Sequence, residues 1–358
     1  MMKIDNMDEK QKNLNFFRIA LMYTGSILGA GFASGREIWQ FFGVFGDEGI
    51  WGVLIVGCLF ILTGLMTCFI AKKKISCQMG EIIVPFDGEW GSKIISGFMA
   101  FVLYGVPVIM SAAAGALFKQ QFNLSPYLGG GLMIIAVTIT VIGGIDRISS
   151  VFKIMMPLLL MVILYIAFRM ILGGIEASTT TETINTGPLT KNWFVSAILY
   201  FSYNVLAIIP IVGTSINHSK SDVHGILGTV LGGVIVATLA FVILLALLKD
   251  RNFSQSMALP MLGYSAKFGM MEGLIYSAIL LLAMYGSATG NYYGFTTRIK
   301  DDKNKKKKII AFAVMGYVLS FIGFKNVVAY MFPIMGYIGL LIILMLMLNF
   351  FKIAVWRK

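Results

Sequence analysis

The chain has 358 residues, of which 58% are hydrophobic and 13% charged, and its mean hydropathy is +0.83. A soluble domain, whose surface is largely polar, is excluded by those values, so the chain reads as a polytopic membrane protein. The net charge of +12 does not imply nucleic acid, because the basic residues sit in short blocks between apolar runs rather than along one face.

The first apolar run, about 14 to 45, follows a polar segment and is too long for a cleavable signal, so it is expected to remain as span 1. Its middle, Thr24 to Glu37, reads TGSILGAGFASGRE and places four glycines, two serines and an Arg-Glu pair inside a crossing. Free backbone groups in hydrocarbon cost several kcal/mol each, roughly, so such a break survives only beside a protected cavity. Interrupted helices of this kind hold substrates and ions in secondary transporters. Gly25, Gly29, Gly31 and Gly35 also form two small-xxx-small pairs, which serve close helix packing. Packing does not account for Arg36 and Glu37. As an intramembrane charge pair they mark a functional site, or they brace a helix end near the interface.

Further runs able to cross about 30 Å of hydrocarbon fall near 50 to 71, 94 to 118, 127 to 145, 151 to 172, 193 to 216, 223 to 248, 269 to 297, 309 to 323 and 327 to 351. Ten spans result. The ninth is short, and Lys325-Asn326 is the only punctuation before the tenth. With the amino terminus inside, 21 lysines and arginines lie on the inner side and 7 on the outer, Arg36 set aside. That bias predicts both termini in the cytoplasm of a multi-pass cell-membrane protein. Lys305 to Lys308 read as an anchor to the anionic inner leaflet. Cys58 and Cys68 lie in a span and Cys77 in a loop, without the spacing of a disulfide or metal site. His218 and His224 follow span 6 and are expected to be solvated. Glu176 to Thr190 is expected to be an outer loop.

Ten spans divide into two sets of five, about 14–172 and 193–351, and an odd number inverts the second set. Span 6, the counterpart of span 1, carries Ser202-Tyr203-Asn204 followed by Pro210 and Gly213. Proline removes a backbone donor and a nearby asparagine replaces a lost bond, so span 6 is expected to be interrupted like span 1. Polar segments at 72–93 and 249–268 also correspond. Paired interruptions point to a midplane binding site.

Three motifs carry a resemblance: Gly25-Ser26-Ile27-Leu28-Gly29-Ala30-Gly31, Phe201-Ser202-Tyr203-Asn204, and Ile145-Asp146-Arg147 with Lys153-Ile154-Met155-Met156-Pro157-Leu158-Leu159. They resemble the amino acid, polyamine and organocation transporter superfamily with the LeuT-type five-plus-five inverted repeat, and within it the bacterial YkvI-like membrane proteins. The third motif looks like the start of helix 5 in branched-chain amino acid cation symporters. The resemblance implies an all-α membrane fold and a substrate held between unwound parts of spans 1 and 6, with spans 3 and 8 closing the cavity. Backbone amides around Gly29, Ala30 and Gly31 would then receive a carboxylate, with Ser26 beside them. Phe201, Ser202 and Asn204 would shape the opposite wall. Tyr104 on span 3 is either a lid or hydrogen-bond donor, or an ordinary packed aromatic.

For the coupling ion, the resemblance implies carbonyls of Gly25 and Leu28 with a span 8 hydroxyl, Ser287 or Thr289. Those two hydroxyls, two residues apart, do not share a helix face, and Thr289 is the stronger candidate. The adjacent hydroxyls of sodium-coupled relatives are missing, which leaves sodium and proton both open. Proton-coupled relatives use a lysine on span 5. Lys153 either fills that role or snorkels to the interface.

The function expected is symport of a small amino acid or related amine on a sodium or proton gradient, with no cofactor besides the coupling ion. The alternative is a membrane sensor that binds an amino acid without moving it. No catalytic triad, metal-ligand cluster or carboxylate pair within the spans suggests an enzyme. The expected partners are a small-molecule substrate and the lipid bilayer, not nucleic acid; substrate identity and oligomeric state are left open.

Overall fold

The structure, a computed structural model, describes residues 14–74, 83, 89–143, 149–173, 184, 186–299 and 303–355. Span 1 is three short helices, α1 (Phe16–Ile27), α2 (Ala30–Ala33) and α3 (Arg36–Phe41). Spans 2 to 5 are α4 (Asp47–Lys74), α5 (Glu89–Phe122), α6 (Pro126–Gly143) and α7 (Ser149–Leu172). Spans 6 and 7 are α8 (Trp193–Asn217) and α9 (Asp222–Leu248), followed by two short helices, α10 (Arg251–Ser256) and α11 (Pro260–Phe268). Spans 8 to 10 are α12 (Met270–Thr296), α13 (Lys305–Leu319) and α14 (Phe324–Val355). Among the described residues seven of these, α4, α5, α6, α8, α9, α12 and α14, are long and apolar enough to cross a membrane; the other three segments keep span numbers that rest on the apolar runs of the sequence.

Local sequence explains the ends. Asn15, Asn192 and Asp250 each cap a helix by accepting a backbone N–H through the side chain, and Pro260 opens α11 where its missing N–H costs nothing. The apolar surface is distributed as lipid requires. Leu62, Ile139 and Leu172 are exposed, while the aromatic rings Trp39, Phe41, Phe42, Phe60 and Tyr200 fill the interior.

The helices sort into two bundles. α1, α4, α8 and α9 pack on one another, as do α5, α6, α12 and α13. Contacts pair off as an inverted repeat demands: α1 with α9 mirrors α8 with α4, and α7 with α9 and α12 mirrors α14 with α4 and α5. The symmetry is incomplete: α5 lies along α6 more extensively than α12 lies along α13 among the described residues. α14 lies along α8, but among the described residues α1 makes no comparable contact with α7.

Three expectations are corrected. Span 6 is not interrupted; α8 runs unbroken from Trp193 to Asn217 through Pro210. Its polar run returns its own hydrogen bonds to the previous turn, Ser202 Oγ donating to Ile198 O (2.6 Å) and Asn204 Nδ2 to Tyr200 O (2.9 Å). Pro210 forgoes the bond to the Leu206 carbonyl without ending the helix. The segment 249–268 is not a plain polar loop but contains α10 and α11, with Met261, Leu262 and Tyr264 fully buried. Spans 9 and 10 part at a 3-10 turn, Ser320–Ile322, and at Gly323, whose φ of 85° ends the helix, rather than at Lys325-Asn326. Lys305 to Lys308 form the first turn of α13. Asp146, Arg147, Cys77 and most of the expected outer loop lie outside the described residues.

Candidate functional site

A cavity of about 360 Å³ lies at the break in span 1, with walls from both bundles: α1, α3 and α8 on one side, α5 and α12 on the other, α14 beside them. The break itself is an inverse γ-turn. Leu28 takes φ −70° and ψ 73°, and the Gly29 N–H donates to Ile27 O at 2.7 Å. Among the described residues, the carbonyls of Gly25, Ser26 and Leu28 accept no backbone hydrogen bond. A methyl group placed on Gly29 would meet only Ile27 O, at 4.0 Å, so the bareness of this residue serves the cavity and not helix packing.

A second turn follows at Ser34-Gly35. Gly35 has φ 77°, in the left-handed region, and redirects the chain into α3. The turn folds Glu37 back over Gly31, where any side chain would overlap the carboxylate. Glu37 is 4% exposed and lines the cavity. Its Oε2 accepts the Tyr203 hydroxyl at 2.5 Å.

Arg36 and Glu37 do not pair. Successive helix residues do not face each other, and Arg36 points the other way, donating to the carbonyls of Gln255 (3.4 Å) and Met257 (3.3 Å) and to Gln40 Oε1 (3.3 Å). Those bonds close one end of the cavity. Trp39 Nε1 donates to Gln255 Oε1 (2.6 Å), Met261 N to Ser34 O (2.9 Å), and Gln120 of α5 brackets Leu259. Tyr276 of α12 donates to Ala33 O at 2.5 Å. The other end is open. Gly25 and Ser26 of α1 and Ala207, Pro210 and Ile211 of α8 are half-exposed, and Met22 and Thr214 beyond them are exposed.

Of the residues expected to touch substrate, Ser26, Gly29 and Asn204 line this cavity. Ala30 and Gly31 are buried in α2 beneath Glu37. Phe201 and Ser202 turn away, Phe201 to Phe60 of α4 and Ser202 to Gly339 of α14, because an unbroken α8 spreads consecutive residues around its circumference. Tyr104 is a packed aromatic: it lies tilted against Phe295 and edge-on to Phe312 and donates to Phe312 O. Of the ion candidates, Gly25, Leu28 and Ser287 line the cavity. Thr289 does not; its hydroxyl is buried and donates to Tyr285 O. Lys153 lies in α7 with its side chain outside the described residues.

Sequence reasoning passed over Tyr203, Asn291, Phe332 and the α5 face of Met99, Val102 and Val106, all of which line the cavity. The signal for Tyr203 was present: 203, 207, 210, 211 and 214 recur at helical spacing on one face. Phe332 carried no signal, being one aromatic in a uniformly apolar span.

The fold is shared with solved membrane proteins over nearly its full length. MhsT, solved in complex with L-phenylalanine, matches with a TM-score of 0.59 at 17% identity, covering 95% of this chain and 89% of that one. The manganese transporter of Eremococcus coleocola matches with a TM-score of 0.54 at 12% identity, covering 97% and 80%. No family model matches the sequence. The architecture is therefore that of the LeuT-fold membrane transporters, all-α and multi-pass. Membrane protein YkvI of Bacillus subtilis is 30% identical over 331 residues, 90% of this chain and 92% of its own length. YyaD of the same organism is 25% identical over 338 residues, 92% and 95%. The chain belongs to the YkvI family.

Proposed function

We propose that the chain is a secondary active transporter that moves a small amino acid or related amine by alternating access. One observation carries this reading: the cavity lies between two separately packed bundles, at the break in span 1, and is closed at one end and open at the other. Rocking α1, α4, α8 and α9 against α5, α6, α12 and α13 would exchange the open end for the closed one. The open end faces the start of α1 and the end of α8, which are joined where Lys220 N donates to Leu14 O; the bias of lysines and arginines toward that side supports a cytoplasmic orientation for it and for both termini.

The coupling ion is sodium or a proton. For sodium, the unbonded carbonyls of Gly25 and Leu28 and the hydroxyl of Ser287 share the cavity, and oxygen ligands suit a hard cation. For a proton, Glu37 in the cavity and Lys153 on span 5 are the candidate carriers.

The test is uptake of radiolabelled amino acids and amines into liposomes holding the purified protein, with sodium and pH gradients imposed separately. Accumulation under one gradient supports transport. Binding without accumulation supports the sensor reading instead.

A further inference from the structure

We propose that the cavity is selective for organic monoamines without a carboxylate, with Glu37 as the counter-charge to their ammonium group and the rings of Tyr203 and Phe332 as the wall beside it. The location rests on the transport reading above; the ligand class rests on the cavity's own chemistry.

Glu37 is buried at 4% exposure and has a single hydrogen-bond partner among the described residues, Tyr203 on Oε2. Its Oε1 accepts no hydrogen bond from them. No cation stands within ion-pair distance of it among those residues, since Arg36 is committed to backbone carbonyls on the far side of α3. No described lysine, arginine or histidine lines the cavity. A lone carboxylate in a largely apolar chamber is complemented by a ligand that brings one positive charge and hydrogen-bond donors.

The aromatic wall points to the same ligand. Tyr203 and Phe332 both line the cavity and stack with centroids 4.9 Å apart and planes 5° from parallel. Ring faces attract ammonium groups. Apart from Ser26, Asn204, Ser287 and Asn291, the remaining walls, including Met99, Met110 and Met335, are apolar and adaptable, fit for a hydrocarbon or aromatic body.

A substrate carboxylate is disfavoured by the same geometry. The Glu37 carboxylate is folded over Gly31, close enough that a methyl group there would overlap it, so a substrate carboxylate brought to the start of α2 would come near it. A second carboxylate there would be placed beside the first in a low dielectric. With one acid, the cavity neutralises one amine and not a polyamine. Its volume of about 360 Å³ falls at the small end of the range for small-molecule pockets.

The experiment uses the full chain in liposomes and two matched pairs of probes, 2-phenylethylamine against L-phenylalanine and isoamylamine against L-leucine, read by equilibrium binding and by uptake. The expected result is at least tenfold tighter binding of each amine than of its amino acid. Glu37→Gln should weaken amine binding at least tenfold at unchanged Tm, and Glu37→Asp should restore part of it. Phe332→Leu should lower amine affinity while sparing the closed end. Equal or tighter binding of the amino acids overturns the ligand class, as does amine binding that ignores Glu37→Gln; gradient-driven uptake in either case leaves the transport reading standing. Amine binding that depends on Glu37 without accumulation upholds the ligand class and removes transport. Absence of binding by all four probes overturns the assignment.

Discussion

The hydroxyl of Tyr203 donates to Glu37 across 166 residues of sequence, at 2.5 Å, and so fastens the second half of span 1 to span 6. Tyr203→Phe keeps the ring on Phe332 and removes that bond. A hydrogen bond to a charged group contributes about 1.5–3 kcal/mol, so ligand affinity should fall roughly tenfold or more. Equilibrium binding of the four probes checks this, and an unaltered affinity would show that the hydroxyl does not hold the carboxylate in place.

Gly35→Ala forces a side chain into φ 77° and sets its Cβ 2.8 Å from Met261 Cγ. The left-handed conformation alone costs about 1–2 kcal/mol. A lowered Tm in detergent is the expected outcome, with the cavity's affinity reduced because α3 carries Glu37.

Arg36→Ala frees the carbonyls of Gln255 and Met257 and loosens the closed end. A cysteine placed at Ser34, in a background without Cys58, Cys68 and Cys77, should then react several-fold faster with a small maleimide. Equal rates with and without Arg36 would remove it from the closure.

The open end has a side. Cysteines at Ser26 and Thr214 should be labelled by an impermeant maleimide from the face that holds the termini, and a cysteine at Trp39 should be protected from both faces. Labelling of Thr214→Cys from the opposite face would invert the proposed orientation.

The span 8 hydroxyls should separate. Thr289→Val is expected to leave ion dependence unchanged, since its hydroxyl serves Tyr285 O. Ser287→Ala lowers the response to sodium if sodium drives uptake, and flux measured across a sodium series decides between them.

Composition alone was enough to place this chain in a membrane, because 58% hydrophobic residues leave no polar surface for water. The glycines of Thr24 to Glu37 marked the break in span 1, since local backbone freedom and intramembrane charge are properties of a short stretch. Span 6 misled for the opposite reason. Ser202, Asn204 and Pro210 are breakers by type, yet side chains that bond back one turn keep a helix whole, and only the folded helix shows where they turn.

The sequence by itself determined the membrane class, the approximate placing of the spans and the interrupted first span, all of which follow from hydrophobicity and backbone chemistry within a few residues. Only the tertiary structure decided that Arg36 and Glu37 part company, that Tyr203 rather than Phe201 or Ser202 faces the cavity, and that Thr289 lies outside it. Those outcomes depend on which direction each helix face takes once neighbours more than a hundred residues distant have packed against it.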